Sequence, residues 1–126
     1  MFEVMPESGG RVLAVRLLQA YSKKDVLAFE KLLEEWIDRV GGQLDMLVKL
    51  DGLNLRRVPV ENYIEDCRRT LAHRESLRRI AVVGDSDFAR SLVSLDNLIM
   101  ANAAHGITER YFDVAQLEEA WSFLRA

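Results

Sequence analysis

Apolar and polar positions along this chain switch between two periods, and the switches mark its elements. "FEVM", residues 2–5, is a short strand pattern ended by Pro6 and the pair Gly9-Gly10. "RVLAVRLLQ", Arg11–Gln19, is a second strand. It is apolar on both parities near its middle, which predicts burial on both faces. Ser22 then holds the N-cap position of a helix, with Asp25 three residues on as its acidic partner. Val26, Phe29, Leu33, Ile37 and Val40 recur at helical spacing as one apolar stripe, and Gly41-Gly42 supplies the stop. "LDMLVKLDG", Leu44–Gly52, is the third strand. A second helix opens near Pro59, since proline is tolerated in a first turn, and its stripe is Val60, Ile64, Cys67 and Leu71. Ile80–Val83 predicts the fourth strand. A helix carrying Phe88, Leu92, Leu95, Ile99 and Ala103 follows, closed by Gly106. Ile107–Phe112 is the fifth strand. Asp113 caps the last helix with Gln116 in the capping-box position, and Leu117, Ala120, Trp121 and Leu124 face inward.

The order is one strand followed by four strand–helix units. The unit strands start about 30 residues apart, the length of a βαβ repeat. The pattern therefore predicts an α/β fold with a mixed, mostly parallel five-stranded sheet and four βα units. The N-terminal strand pairs antiparallel through the Gly9-Gly10 turn. Residues 1–126 read as a single domain.

Composition narrows the function classes. The 126 residues are 49% hydrophobic and 29% charged, and the net charge is −3. A nucleic-acid binder shows a basic excess that is missing here. One cysteine, Cys67, excludes an internal disulfide. Two histidines, His73 and His105, without a His-x-x-x-His spacing predict no metal site, and no cofactor is expected. "MFEVMPESGG" has neither the basic region nor the apolar run of a signal peptide. The longest stretch free of charged side chains, Asn97–Thr108, is too short and too polar to span a bilayer. The expected location is cytoplasmic.

"RRIAVVGDSDFARSL", residues 78–92, has the strand–glycine–helix outline of a phosphate loop. It has only one glycine, Gly84, and Asp85 and Asp87 already place negative charge at the helix start. The segment reads as a turn with Asp85 or Ser86 as cap. No serine sits in a nucleophile elbow, and Asp51, without a partner base, reads as a turn residue. No acid–base pair or activated nucleophile is visible, so no enzyme is expected.

The stretches "FEVMPESGGRVLAVRL", "LDMLVKLDG", "LRRIAVVGDSDF" and "ERYFDVAQLEEAWSFL" resemble the SpoIIAA-like proteins, small bacterial domains of STAS-like fold. The resemblance runs over essentially the whole chain. It implies a mixed sheet with helices packed largely on one side. It also implies two functional branches. Anti-sigma-factor antagonists carry a phosphorylated serine or threonine at the start of the helix after the third strand. Here "LDGLNLRRVPVENYIEDCRR" has no such residue before Thr70. This departure argues against a phospho-switch, because a phosphate placed mid-helix would not act on a loop. The other branch is stand-alone and similar in fold to the CRAL-TRIO lipid carriers.

Two features suit the second branch. Arg56, Arg57, Arg68, Arg69, Arg74, Arg78 and Arg79 against four acids give residues 56–79 a charge of +3, so the rest of the chain carries −6. Arg56, Arg57, Arg68 and Arg69 are the candidates to face an anionic membrane. The alternative is a solvated helix with local pairs such as Glu65–Arg69. In the helix over 88–103, Val93 and Met100 lie well off the main apolar face, and Leu98 lies on the other flank. Val60, Tyr63, Ile64, Val93 and Met100 are the candidate lining of an apolar-ligand cleft, against the alternatives of helix packing and a dimer face. The expected protein is a non-enzymatic domain binding a lipid or other apolar small molecule, with peripheral membrane association at the inner face and a homodimeric state. The runner-up is a protein-interaction module of the anti-sigma-factor-antagonist type, engaging its partner through Asp51–Glu61.

Overall fold

The computed structural model describes residues 1–54, 57–85, 87, 90 and 107–126, with Val60, Tyr63, Cys67 and Leu71 described by backbone alone. Five strands form one sheet in the order β1-β2-β3-β4-β5. They are β1 (Phe2–Val4), β2 (Val12–Gln19), β3 (Leu44–Leu53), β4 (Leu77–Gly84) and β5 (Thr108–Asp113). β1 runs antiparallel to β2, and β2 through β5 are parallel. Gly10, at φ 57°, turns the chain between the first two strands, a conformation that suits glycine.

Among the described residues the α-helices are α1 (Lys23–Val40), α2 (Val60–Leu71) and α3 (Leu117–Arg125), and the helix expected over 88–103 lies outside them. Ser22 and Asp25 form the capping box expected at the start of α1, and Gly41 ends it in the left-handed conformation. A second capping box, Asp113 with Gln116, opens a single 3-10 turn over Val114–Gln116, which leads into α3.

The sheet alternates its apolar side chains onto both faces. One face, with Leu13, Val15, Leu44, Met46, Ile80 and Val82, is covered by Val26, Phe29, Leu33 and Trp36 of α1. Phe2 of β1 meets Phe29 edge-on at 5.7 Å. Trp36 belongs to this buried stripe, whereas the expected Ile37 and Val40 are only half-buried at its margin. The opposite face, with Val12, Ala14, Leu47, Ala81, Val83 and Phe112, is covered by Ala120, Trp121 and Leu124 of α3. Among the described residues, two of the three helices, α1 and α2, lie on one face and α3 lies on the other. Consecutive parallel strands with right-handed crossovers put α1 and α2 on one face, and the chain after β5 returns across the other. Ala14, Ala81 and Ala120, all fully buried, let α3 lie close to the sheet.

β4 begins three residues before the expected Ile80, because the two arginines at its start have partners. The guanidinium of Arg78 donates through Nε to Asp45 Oδ1 at 2.9 Å and through Nη2 to Oδ2 at 2.8 Å. The Arg79 N–H donates to the same Oδ1 at 3.1 Å. Asp45 is 2% exposed, so its charge needs these donors. Arg78 also reaches the Leu124 carbonyl at 2.8 Å, and Arg79 reaches the Phe123 carbonyl at 2.6 Å. Two cations therefore sit at the C-terminal end of α3, where the helix dipole favours positive charge.

Candidate functional site

α2 is attached to the body of the protein by its polar side. Asn62, Asp66, Arg69 and His73 recur at i, i+4, i+7 and i+11, which places them on one face of the helix line. Asn62 Nδ2 donates to the Tyr21 carbonyl at 3.0 Å, and the Tyr21 hydroxyl donates to Asp66 Oδ1 at 3.1 Å. Burial, with the Asp66 charge added, pushes the Tyr21 phenol far above the usual tyrosine range, so it stays a donor. Arg69 bridges Glu30 of α1 at 2.7 Å and Glu65 at 2.8 Å. His73 Nε2 lies 3.9 Å from a Glu30 oxygen and 3.8 Å from a Glu34 oxygen. The joint between α1 and α2 is thus a ladder of polar contacts. Ion pairs of this kind contribute about 0.2–1 kcal/mol each and weaken with salt.

Helical spacing sets positions 60, 64, 67 and 71 roughly opposite the polar ladder. Ile64, whose side chain is described, is 52% exposed. The sequence pattern places it on the apolar stripe as a candidate cleft residue, and its side chain is exposed. One turn on, the Arg68 side chain is 74% exposed, and Arg57, just before α2, is exposed as well. Of the other cleft candidates, Val93 and Met100 lie outside the described residues, as does Arg56, and the side chains of Val60 and Tyr63 are also outside them.

The seven arginines separate into groups that spacing alone cannot distinguish. Arg78 and Arg79 hold α3 and Asp45 at the far end of the sheet. Arg69 is held between α1 and α2, so it is a joint residue rather than a membrane-facing one. The expected Glu65–Arg69 pair is present, and Glu65 also takes Arg68. Partial burial raises the Glu65 carboxyl, but the two guanidinium groups outweigh it and hold it below the usual range. Arg57 and Arg68 remain as the outward cations among the described candidates.

At the carboxyl end of the sheet, Asp51 is a strand residue, not the turn residue expected. It faces Arg16 and Lys49, each at 3.6 Å. The register shifts between Arg16 and Leu18, and Gly52 fits beneath: a Cβ there would lie 2.8 Å from Leu18 Cδ2 and 3.2 Å from the Leu17 carbonyl. Gly84 is the last residue of β4 and pairs with Asp113. Asp85 and Asp87 are exposed, and the cap expected of Ser86 lies outside the described residues. α2 itself starts at Pro59 with no side-chain cap, and residues 54–62 contain no serine or threonine.

This arrangement of strands and helices has relatives. A family model described as SpoIIAA-like matches residues 12–125. The chain belongs to the SpoIIAA-like family. The crystal structure of an uncharacterised protein of the DUF3478 family from Shewanella loihica PV-4, with a SpoIIAA-like fold, superposes on this SpoIIAA-like domain with a TM-score of 0.73. The pair is 16% identical over 98% of this chain and 93% of that one, which supports the fold alone. No curated protein matches the sequence. Among the described residues no helix is long and apolar enough to cross a membrane.

The polar ladder on α2 is what the pattern reading missed. Its signal was present as Asn62, Asp66, Arg69 and His73 at helical spacing opposite the apolar stripe.

Proposed function

We propose that this SpoIIAA-like domain is a non-enzymatic binding module that takes up a lipid or other apolar ligand reversibly at an anionic membrane face. The observation that carries the reading is the orientation of α2: polar side to the body, Ile64 outward, Arg57 and Arg68 exposed beside it. An exposed apolar side chain flanked by cations suits the headgroup boundary of an anionic bilayer, where each arginine contributes about 1 kcal/mol. The ligand would enter between α2 and the segment carrying Val93 and Met100, against Val60, Tyr63 and Ile64. A joint made of polar contacts and ion pairs gives way at such a surface at less cost than an apolar one. The antagonist reading is weaker, because the start of α2 offers no serine or threonine to phosphorylate.

Co-sedimentation with vesicles tests the proposal. The wild-type protein is expected to bind vesicles containing phosphatidylglycerol and to bind pure phosphatidylcholine far less. Arg57→Glu with Arg68→Glu should weaken anionic binding by ~2 kcal/mol or more, at about 1 kcal/mol per removed charge. Ile64→Asp should weaken it further. Arg69 is left in place, since its removal would break the joint with Glu30. Equal binding to both vesicle types, unchanged by the charge reversals, would remove the membrane half of the proposal.

A further inference from the structure

We infer that Glu30, Glu34 and His73 form a binding site for one divalent transition-metal ion of the zinc class, bridging α1 and the end of α2. One donor atom from each residue converges, all within 4.8 Å of one another. Glu30 and Glu34 are one helical turn apart on α1, so both carboxylates point to the same side. His73 comes from just beyond α2, and its Nε2 stands 3.9 and 3.8 Å from the two carboxylates. These separations are too long for hydrogen bonds. Zinc takes nitrogen and oxygen ligands at about 2.0–2.2 Å, so tetrahedral donors lie roughly 3.3–3.6 Å apart. The two gaps at His73 are a few tenths of an ångström longer than those of ligands sharing an ion, and the Glu34 side chain is 55% exposed.

The surroundings fit a metal site better than a chance cluster. Glu30 divides its two oxygens. Oε1 accepts from Arg69 at 2.7 Å, while Oε2 is the oxygen turned to His73. A ligating carboxylate held by a second hydrogen bond on its other oxygen is the usual supporting arrangement of metal centres. The Arg69 charge is in turn offset by Glu65 at 2.8 Å, which lessens its repulsion of a cation. Two carboxylates and one imidazole leave the fourth position of a tetrahedral ion open to water or a ligand. One imidazole with two carboxylates suits zinc and its neighbours, whereas magnesium and calcium prefer oxygen donors throughout. The inference does not rest on the lipid-binding proposal, although a bound ion would strengthen the joint between α1 and α2.

The test uses the full chain, stripped with a chelator and titrated with Zn²⁺ by calorimetry, with Co²⁺ absorption as a second readout. One Zn²⁺ per chain is expected, with a Co²⁺ visible spectrum of a four-coordinate site. Glu34→Gln and His73→Gln should each weaken Zn²⁺ binding by about tenfold or more. Glu34 is exposed, so its replacement leaves the fold intact, and far-ultraviolet circular dichroism checks both variants. Changing the other histidine, by His105→Gln, should leave the affinity unchanged. No binding below millimolar Zn²⁺, or binding that survives both Glu34→Gln and His73→Gln unaltered, would overturn the inference.

Discussion

Replacing Arg78 with alanine is expected to lower the unfolding free energy by about 3–5 kcal/mol, read as a shift of the urea midpoint. The substitution leaves the Asp45 carboxylate, 2% exposed, with the Arg79 backbone N–H as its remaining contact from this cluster. A buried charge that loses its partner costs more than the pair ever contributed. The same change frees the Leu124 carbonyl at the end of α3. A companion variant separates the two effects. Asp45→Leu together with Arg78→Met removes both charges, and it should recover much of the loss. A double variant as unstable as Arg78→Ala would mean that the pair is not the source of the cost.

Trp121→Ala should destabilise by a similar amount, about 3–5 kcal/mol, for a different reason. Trp121 is 9% exposed and lies in the layer between α3 and the sheet, with Leu47, Val83 and Phe112 in the same cluster. The small side chains around it, Ala14, Ala81 and Ala120, cannot grow into the space left behind. Trp36, in the α1 layer on the other face, then reports unfolding by fluorescence. If the two layers unfold as one unit, the Trp36 signal and circular dichroism will fall together at the lowered midpoint. A normal midpoint would show that α3 contributes little to the core.

The sheet and its order were legible because each strand carries its own local signal. Val12–Val15, buried throughout, read as a strand covered on both faces, and the capping boxes marked the start of α1 at Ser22 and, at Asp113, the 3-10 turn that leads into α3. What stayed illegible depends on partners far apart in the chain. Asp45 looks like an ordinary polar residue until Arg78, 33 positions later, closes on it. The arginine-rich segment looks like one basic patch, yet folding assigns its members to α3, to α1 and to solvent. Glu30 and Glu34 show only a helical spacing, and His73 meets them through the crossover that sets α2 beside α1. The exposure of Ile64 was illegible for a related reason. An apolar stripe tells which residues share a face, and the polar stripe opposite tells which face is used.

The proposal that this SpoIIAA-like domain carries an apolar ligand is tested most directly by native mass spectrometry of the purified protein, followed by organic extraction. A noncovalent adduct that disappears on denaturation is expected, with an apolar molecule in the extract. Protein at its bare sequence mass, from more than one expression host and with nothing in the extract, would contradict it.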